Sequence, residues 1–179
     1  MKSSVAFPGR AAAAVLSLAL MVQAQTLPGE VQTHQKLGSG QGGFGGVIYD
    51  SDLLGVASAP LGDLDGDGVI DLAVGSANNG ESGGGNRGAV WILFLHDDGT
   101  VKSQQLITHQ EGGFTGQLDP QDRFGASLAA IDDLDGDDIP DLVVGAPGDD
   151  DAREDAGAVW VLFLNTDGTV KDHQKISLE

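Results

Sequence analysis

The chain has 179 residues, of which 40% are apolar and none is cysteine, a make-up that suits one ordinary domain or a short repeat array and excludes both a disordered polymer and a disulfide-stapled framework. Its formal charge of −18, from 27 acidic against 9 basic residues, repels nucleic-acid phosphates and attracts cations, so nucleic acid is excluded as a partner. Of the acids 22 are Asp and 5 are Glu, and the short Asp side chain, which folds back on local backbone, places this charge in loops rather than on helical faces.

Residues 1–24 read as a signal peptide. Lys2 and Arg10 precede an apolar run from Ala11 to Val22, and Val22 and Ala24 stand where cleavage before Gln25 requires them. The run of 12 residues is short of the ~20 that span a bilayer, which favours a cleaved signal over a membrane or core helix. No later segment is apolar for long enough to span, so the mature chain is expected to be exported, soluble, and secreted or held at the cell surface.

Residues 25–46 form a leading segment. Val31 to Leu37 aligns with Val101 to Ile107 further on and predicts one stray outer strand. Gly38 to Gly43 contains G-x-G-x-x-G, but no helical pattern follows it, so it reads as a flexible connector rather than a nucleotide loop.

The rest is a repeat, one unit over residues 47–109 and a second over 110–179. Gly42-Gly43-Phe44 recurs as Gly112-Gly113-Phe114 and Asp63 to Asp71 as Asp133 to Asp141, both at an offset of 70 residues. After a one-residue deletion, Gly88 to Leu95 recurs as Gly157 to Leu164, and Asp98 to Lys102 as Asp167 to Lys171. Short runs of Val, Ile, Leu and aromatic residues alternate with Gly and Asp punctuation, the pattern of strands and turns. The fold class is therefore all-β, with four strands per unit. In the first they are Leu54 to Pro60, Asp71 to Gly75, Gly88 to Leu95 and Thr100 to Thr108; in the second, Phe124 to Ile131, Asp141 to Gly145, Gly157 to Leu164 and Thr169 to Ser177. Asp98-Gly99 and Asp167-Gly168 predict hairpin turns, because Gly accepts the positive φ that a tight turn demands. The third strand of each unit is almost continuously apolar and is expected to be covered on both faces, as in antiparallel sheets stacked around an axis.

Between the first and second strands of each unit lies D-x-D-x-D-x-x-x-D. Ca²⁺ takes about six to eight oxygens at ~2.3–2.6 Å, and alternate carboxylates with one main-chain carbonyl can wrap it. Candidate ligands are Asp63, Asp65, Asp67, the Val69 carbonyl and Asp71 in one loop, and Asp133, Asp135, Asp137, the Ile139 carbonyl and Asp141 in the other. Two Ca²⁺ sites are expected. Gly66 and Gly136 let the loops turn; Asp138 stands where Gly68 supplies the sixth position, and Asp is among the residues that tolerate positive φ. A solvated acidic turn is the plain alternative, but several carboxylates this close repel strongly without a cation. An EF-hand-like repeat is disfavoured, since Val74 or Val144 occupies its twelfth position and a strand follows the loop.

Phe124-Gly125, the loop Asp133 to Asp141 and Gly145-Ala146-Pro147 resemble the FG-GAP repeat of integrin α-subunit β-propellers and related bacterial surface proteins. The first unit departs from that pattern, with Leu54-Gly55 for Phe-Gly and Gly75-Ser76-Ala77 for Gly-Ala-Pro. The resemblance implies propeller blades with a calcium loop joining the first two strands, used in extracellular adhesion or ligand binding, or as an accessory module of secreted enzymes. Two blades do not close a ring of about four to eight, so either more blades lie in a longer chain or several chains assemble.

The remaining signals are weaker. Asp149 to Asp151 with Glu154 and Asp155 read as a solvated loop rather than a third metal site, and in the first unit Asn78 to Arg87 carries only Glu81 and Arg87 as charges. His34, His109 and His173 lack metal-ligand spacing, and no nucleophile or H-E-x-x-H motif occurs, so no catalytic constellation is expected. Trp91 and Trp160 read as core aromatics. The expectation is an exported calcium-binding module for a protein or glycan ligand; the alternatives are an accessory part of a secreted hydrolase or lyase acting on polysaccharide or phospholipid, and a structural spacer.

Overall fold

In the computed structural model, which describes residues 30–31, 33–79, 85–151, 153 and 156–178, strand-forming runs and turns fold as two four-stranded meanders. The first sheet contains β1 (Leu54–Gly62), β2 (Asp71–Ser76), β3 (Ala89–Leu95) and β4 (Val101–Ile107); the second contains β5 (Ser127–Ile131), β6 (Asp141–Ala146), β7 (Ala158–Leu164) and β8 (Val170–Ile176). Each sheet runs in sequence order with antiparallel neighbours. The residues expected to form a signal peptide, and Glu81, Glu154 and Asp155, lie outside the described residues. No helix among the described residues is long and apolar enough to cross a membrane.

The repeat seen in sequence is a repeat of registers. Val74 faces Trp91 in the first sheet and Val144 faces Trp160 in the second, and both sheets shift register near the start of the last hairpin, after Phe94 and after Phe163. Those hairpins turn at Asp98 and Asp167, whose Oδ1 atoms accept the N–H of Thr100 at 2.9 Å and of Thr169 at 3.0 Å. Such Asx turns favour a tight reversal over continued pairing. One predicted strand begins later than expected: Phe124 leaves its own sheet and forms a parallel bridge to Gly88, so β5 starts at Ser127.

Residues 35–178 belong to one compact unit. Its main core lies between the sheets, where Val90, Ile92, Phe94 and Ile107 meet Leu142, Val144, Trp160 and Leu162 with Phe114 and Phe124 among them. A second cluster, of Phe44, Val74, Trp91, Leu93 and Val101, lies on the other face of the first sheet. Phe44 stands edge-on to Trp91 with ring centroids 5.0 Å apart, and Phe114 repeats this against Trp160 at 5.1 Å. The two Trp residues are thus core aromatics, as expected. The Gly42-Gly43 turn delivers Phe44 to the sheet: Val101 N–H donates to the Gly42 carbonyl at 2.8 Å, and Gly43, at φ +79°, lies so close to the Val101 carbonyl that no side chain fits. The Gly42-Gly43 end of the connector is thereby tied to β4, whereas Gly38 and Gly40 have open space around them.

Two expectations change. The outer strand expected over Val31 to Leu37 is not among the strands of the described residues; a strand exists only through its ladder, and this segment has none there. Coverage of the third strands also differs. β3 is buried along almost all its length, whereas β7 alternates between buried and open positions. The same apolar pattern is covered twice only where a second layer meets it.

Candidate metal centre

Each acidic loop is shaped by its own carboxylates. The first Asp braces the turn: Asp63 accepts the N–H groups of Asp67 at 2.9 Å and Gly68 at 2.8 Å, and Asp133 accepts those of Gly136 at 2.6 Å, Asp137 at 3.1 Å and Asp138 at 2.7 Å. Gly68 (φ 91°) and Asp138 (φ 66°) both adopt the left-handed conformation that the sequence assigned to this position. The bonds to Asp138 and the neighbouring amides hold the Asp133 carboxyl below the usual carboxylate range.

The last Asp of each motif ties the loop to the sheet. Asp71 and Asp141 are fully buried. Asp71 accepts the Leu64 N–H on Oδ2 and the Leu95 N–H on Oδ1, each at 3.0 Å; Asp141 does the same with Leu134 at 3.0 Å and Leu164 at 3.3 Å. Burial pushes both carboxyls upward, opposed by these amides. The two residues are therefore structural struts as well as members of the acidic motif, a role that the spacing did not disclose.

The structure gathers Asp63, Asp65 and Asp71 in the first loop, and Asp133, Asp135 and Asp137 in the second, with one carboxylate oxygen of each lying within 4.8 Å of the others. Two oxygens on a common Ca²⁺ are separated by no more than about 5 Å, twice the ~2.3–2.6 Å bond, so these all-oxygen donor sets fit that ion. Asp67 falls outside the first group and Asp141 outside the second. Asp67 and Asp137 instead accept the N–H groups of Val69 at 2.9 Å and Ile139 at 3.0 Å.

A residue that sequence reasoning passed over completes each centre. The Lys102 ammonium lies 2.6 Å from Asp65 and also pairs with Asp67; the Lys171 ammonium lies 2.8 Å from Asp135 and pairs with Asp137. These contacts raise both lysines above their ordinary range and, as the largest cause, lower Asp67 and Asp137. A cation thus already stands among the carboxylates, which marks the place where positive charge is favoured. The signal was present in the repeated Asp-Gly-Thr-Val-Lys at Asp98 to Lys102 and Asp167 to Lys171, which the hairpin reading absorbed without its lysine.

The other acidic run departs from the solvated loop expected of it. Asp149 is 2% exposed and lies 2.6 Å from the Lys175 ammonium, which also pairs with Asp151. The first blade carries Asn79 and Leu106 at the equivalent positions, so this ion cluster belongs to one blade alone. His173 packs its ring 4.9 Å from Phe114 and 5.3 Å from Trp160, as a neighbour of the core aromatics.

Comparison with known proteins bears on both blades. Residues 55–93 and 124–162 match the FG-GAP repeat. The chain is 43% identical over 96 residues to integrin alpha-5 of Xenopus laevis, covering 54% of this chain and 9% of the relative, and 42% identical over 98 residues to integrin alpha-V of Gallus gallus, covering 55% and 9%. It is 30% identical over 118 residues to phosphatidylinositol-glycan-specific phospholipase D of Bos taurus, covering 65% of this chain and 14% of the relative. The chain thus spans only a small part of the length of these relatives. With two tandem matches laid over two four-stranded sheets that carry the same acidic loop, this chain contains two FG-GAP repeats.

Proposed function

We propose that the chain is an exported, calcium-binding β-propeller repeat module for extracellular adhesion or ligand binding, in which the metal is structural. The observation that carries this reading is the recurrence, at the same place in both blades, of an acidic cluster whose oxygens fit one ion. Asp63, Asp65, Asp67 and Asp71, and Asp133, Asp135, Asp137 and Asp141, with the carbonyls of Val69 and Ile139, would hold the two ions. The metal would supply the positive charge that lets several carboxylates share one loop. Similarity to integrin alpha subunits supports a binding rather than a catalytic role, with a protein or glycan as the ligand class.

Calorimetric titration of the purified chain with CaCl₂ tests it. Two ions per chain are expected, falling to one in Asp65→Asn or Asp135→Asn; no uptake by the folded protein would end the proposal. A second reading, an accessory module of a secreted hydrolase or lyase, is favoured by the similarity to the phosphatidylinositol-glycan-specific phospholipase D. A catalytic domain encoded in the same gene would support that reading, and further blades alone would support the first.

A further inference from the structure

Away from the acidic loops, the second blade buries two carboxyl groups in one cluster. Asp122 is 3% exposed and Asp149 2%. Asp122 closes the turn before β5 by accepting the Asp119 N–H on Oδ2 at 2.8 Å. The chain leaving β6 is laid against that turn: Gly148 N–H donates to the Asp122 carbonyl at 3.1 Å, and Gly148 sits so close to the Gln121 carbonyl that no side chain fits. Asp149 is held in turn by the Gly157 N–H, which donates to its carbonyl at 2.9 Å. One cation serves the cluster. The Lys175 ammonium lies 2.6 Å from Asp149, pairs with the exposed Asp151 and stands 5.2 Å over the Trp160 ring.

The charges do not balance when every carboxyl is ionised. Asp122, Asp149 and Asp151 would then share a single ammonium, with Asp119 in the same turn adding to the surplus. Of the other charged groups nearby, Asp150, Arg123 and Arg153 are exposed, and Arg87 of the first blade donates its Nε–H to the Leu118 carbonyl at 2.9 Å. A buried carboxyl without a cation of its own is held most cheaply in its protonated form. Burial pushes Asp122 up to about 6, with Asp149 and Asp119 adding to the rise and the Asp119 N–H and Lys175 opposing it.

The first blade repeats the scaffold without the second charge. Asp52, 4% exposed, accepts the Tyr49 N–H at 2.7 Å, its carbonyl accepts the Asn78 N–H at 3.2 Å, and Gly88 N–H donates to the Asn79 carbonyl at 3.3 Å. Asn79 and Leu106 stand there in place of Asp149 and Lys175. We infer that the contact of Gly148-Asp149 with the turn at Asp119 to Phe124 is a proton-operated latch, closed while Asp122 carries a proton and released when Asp122 and Asp149 are both ionised. The same turn grips the first blade, since Gln121 and Arg123 donate their N–H groups to the carbonyls of Gly85 and Asn86 at 2.6 and 3.3 Å. Acid therefore tightens this end of the joint and neutral pH loosens it. No ligand of the proposed metal centres takes part, so the latch stands apart from the calcium reading.

Amide hydrogen exchange, followed by NMR on the purified chain in saturating calcium and corrected for the intrinsic effect of pH, tests the latch. The protection of the Gly148 and Gly157 amides is expected to fall as pH rises through about 6. The fall reaches up to about a hundredfold, set by the gap of ~2 units from a free Asp at ~3.9. The Asn78 and Gly88 amides, their counterparts in the first blade, are expected to show no such step. Asp122→Asn, which keeps an acceptor for the Asp119 N–H, is expected to abolish the fall. Asp149→Asn copies the Asn79 of the first blade and is expected to move the fall to lower pH. Protection of Gly148 and Gly157 that stays level across the range overturns the proposal, as does an equal step at Asn78 and Gly88 or a fall that persists unchanged in Asp122→Asn.

Discussion

At Asp71 one side chain has a structural job that can be measured without any metal. Its carboxylate caps the Leu64 and Leu95 amides inside a fully buried site, and stranding a buried donor costs roughly 1–3 kcal/mol for each one. Asp71→Ala is therefore expected to lower stability markedly even in EDTA. Asp65→Ala, which loses only its contact with Lys102, should unfold in EDTA much like the parent; urea unfolding of the pair makes the distinction. Asp122 gives a pH signature. Burial, reinforced by Asp149 and Asp119, pushes its carboxyl up to about 6, above the ~3.9 of a free Asp. The folded state thus binds more protons than the unfolded between those values, so this residue's contribution is fully present below pH ~4 and is lost as pH rises through about 6. Asp122→Asn keeps an acceptor for the Asp119 N–H, which donates at 2.8 Å. It should melt higher than the parent above pH 6 and lose that advantage near pH 4.

Among the elements, the fourth strand of each blade controls the loop across from it. β4 and β8 project Lys102 and Lys171 onto Asp65, Asp67, Asp135 and Asp137, where a bound divalent ion would compete with the ammonium for the same oxygens. Lys102→Ala is expected to tighten calcium binding at the first loop a few-fold and leave the second unchanged, and to lower the melting temperature when calcium is chelated. Titration of Lys102→Ala and Lys171→Ala side by side checks both signs. Exposed ion pairs of this kind are weak and screened by salt, so the gain in affinity should shrink as salt is raised.

For the whole molecule, one core joins the sheets: Phe114 stacks on Phe124 at 5.1 Å, and both lie in the cluster that also holds Ile92 and Ile107 of the first blade. The sheets should therefore unfold together, and metal bound in either loop should stabilise both. At 100 times its dissociation constant, an ion bound only by the folded state adds about 2.7 kcal/mol per site. For a chain of this size that is a rise in melting temperature of roughly 5–10 °C per site. Calorimetric melts in calcium and in EDTA are expected to show a single transition displaced by that order.

Much of this architecture was legible before folding. The alternation of Val, Ile and Leu with Gly and Asp marked the strands, the recurrence of Asp63 to Asp71 at Asp133 to Asp141 marked the repeat, and the Asp spacing marked the loops; all three depend on interactions between residues near one another in the chain. Beyond local pattern lay the burial of Asp149 beside Lys175, the capture of the Leu95 and Leu164 amides by Asp71 and Asp141, and the approach of Lys102 and Lys171 to the acidic loops. The sequences Ala-Val-Trp-Ile-Leu-Phe-Leu and Ala-Val-Trp-Val-Leu-Phe-Leu are nearly identical, yet only β3 is covered on both faces. Strand and turn follow from each residue's own backbone preferences and nearest neighbours, whereas cover and ion pairing depend on which distant element is laid alongside, and that is decided only when the sheets pack.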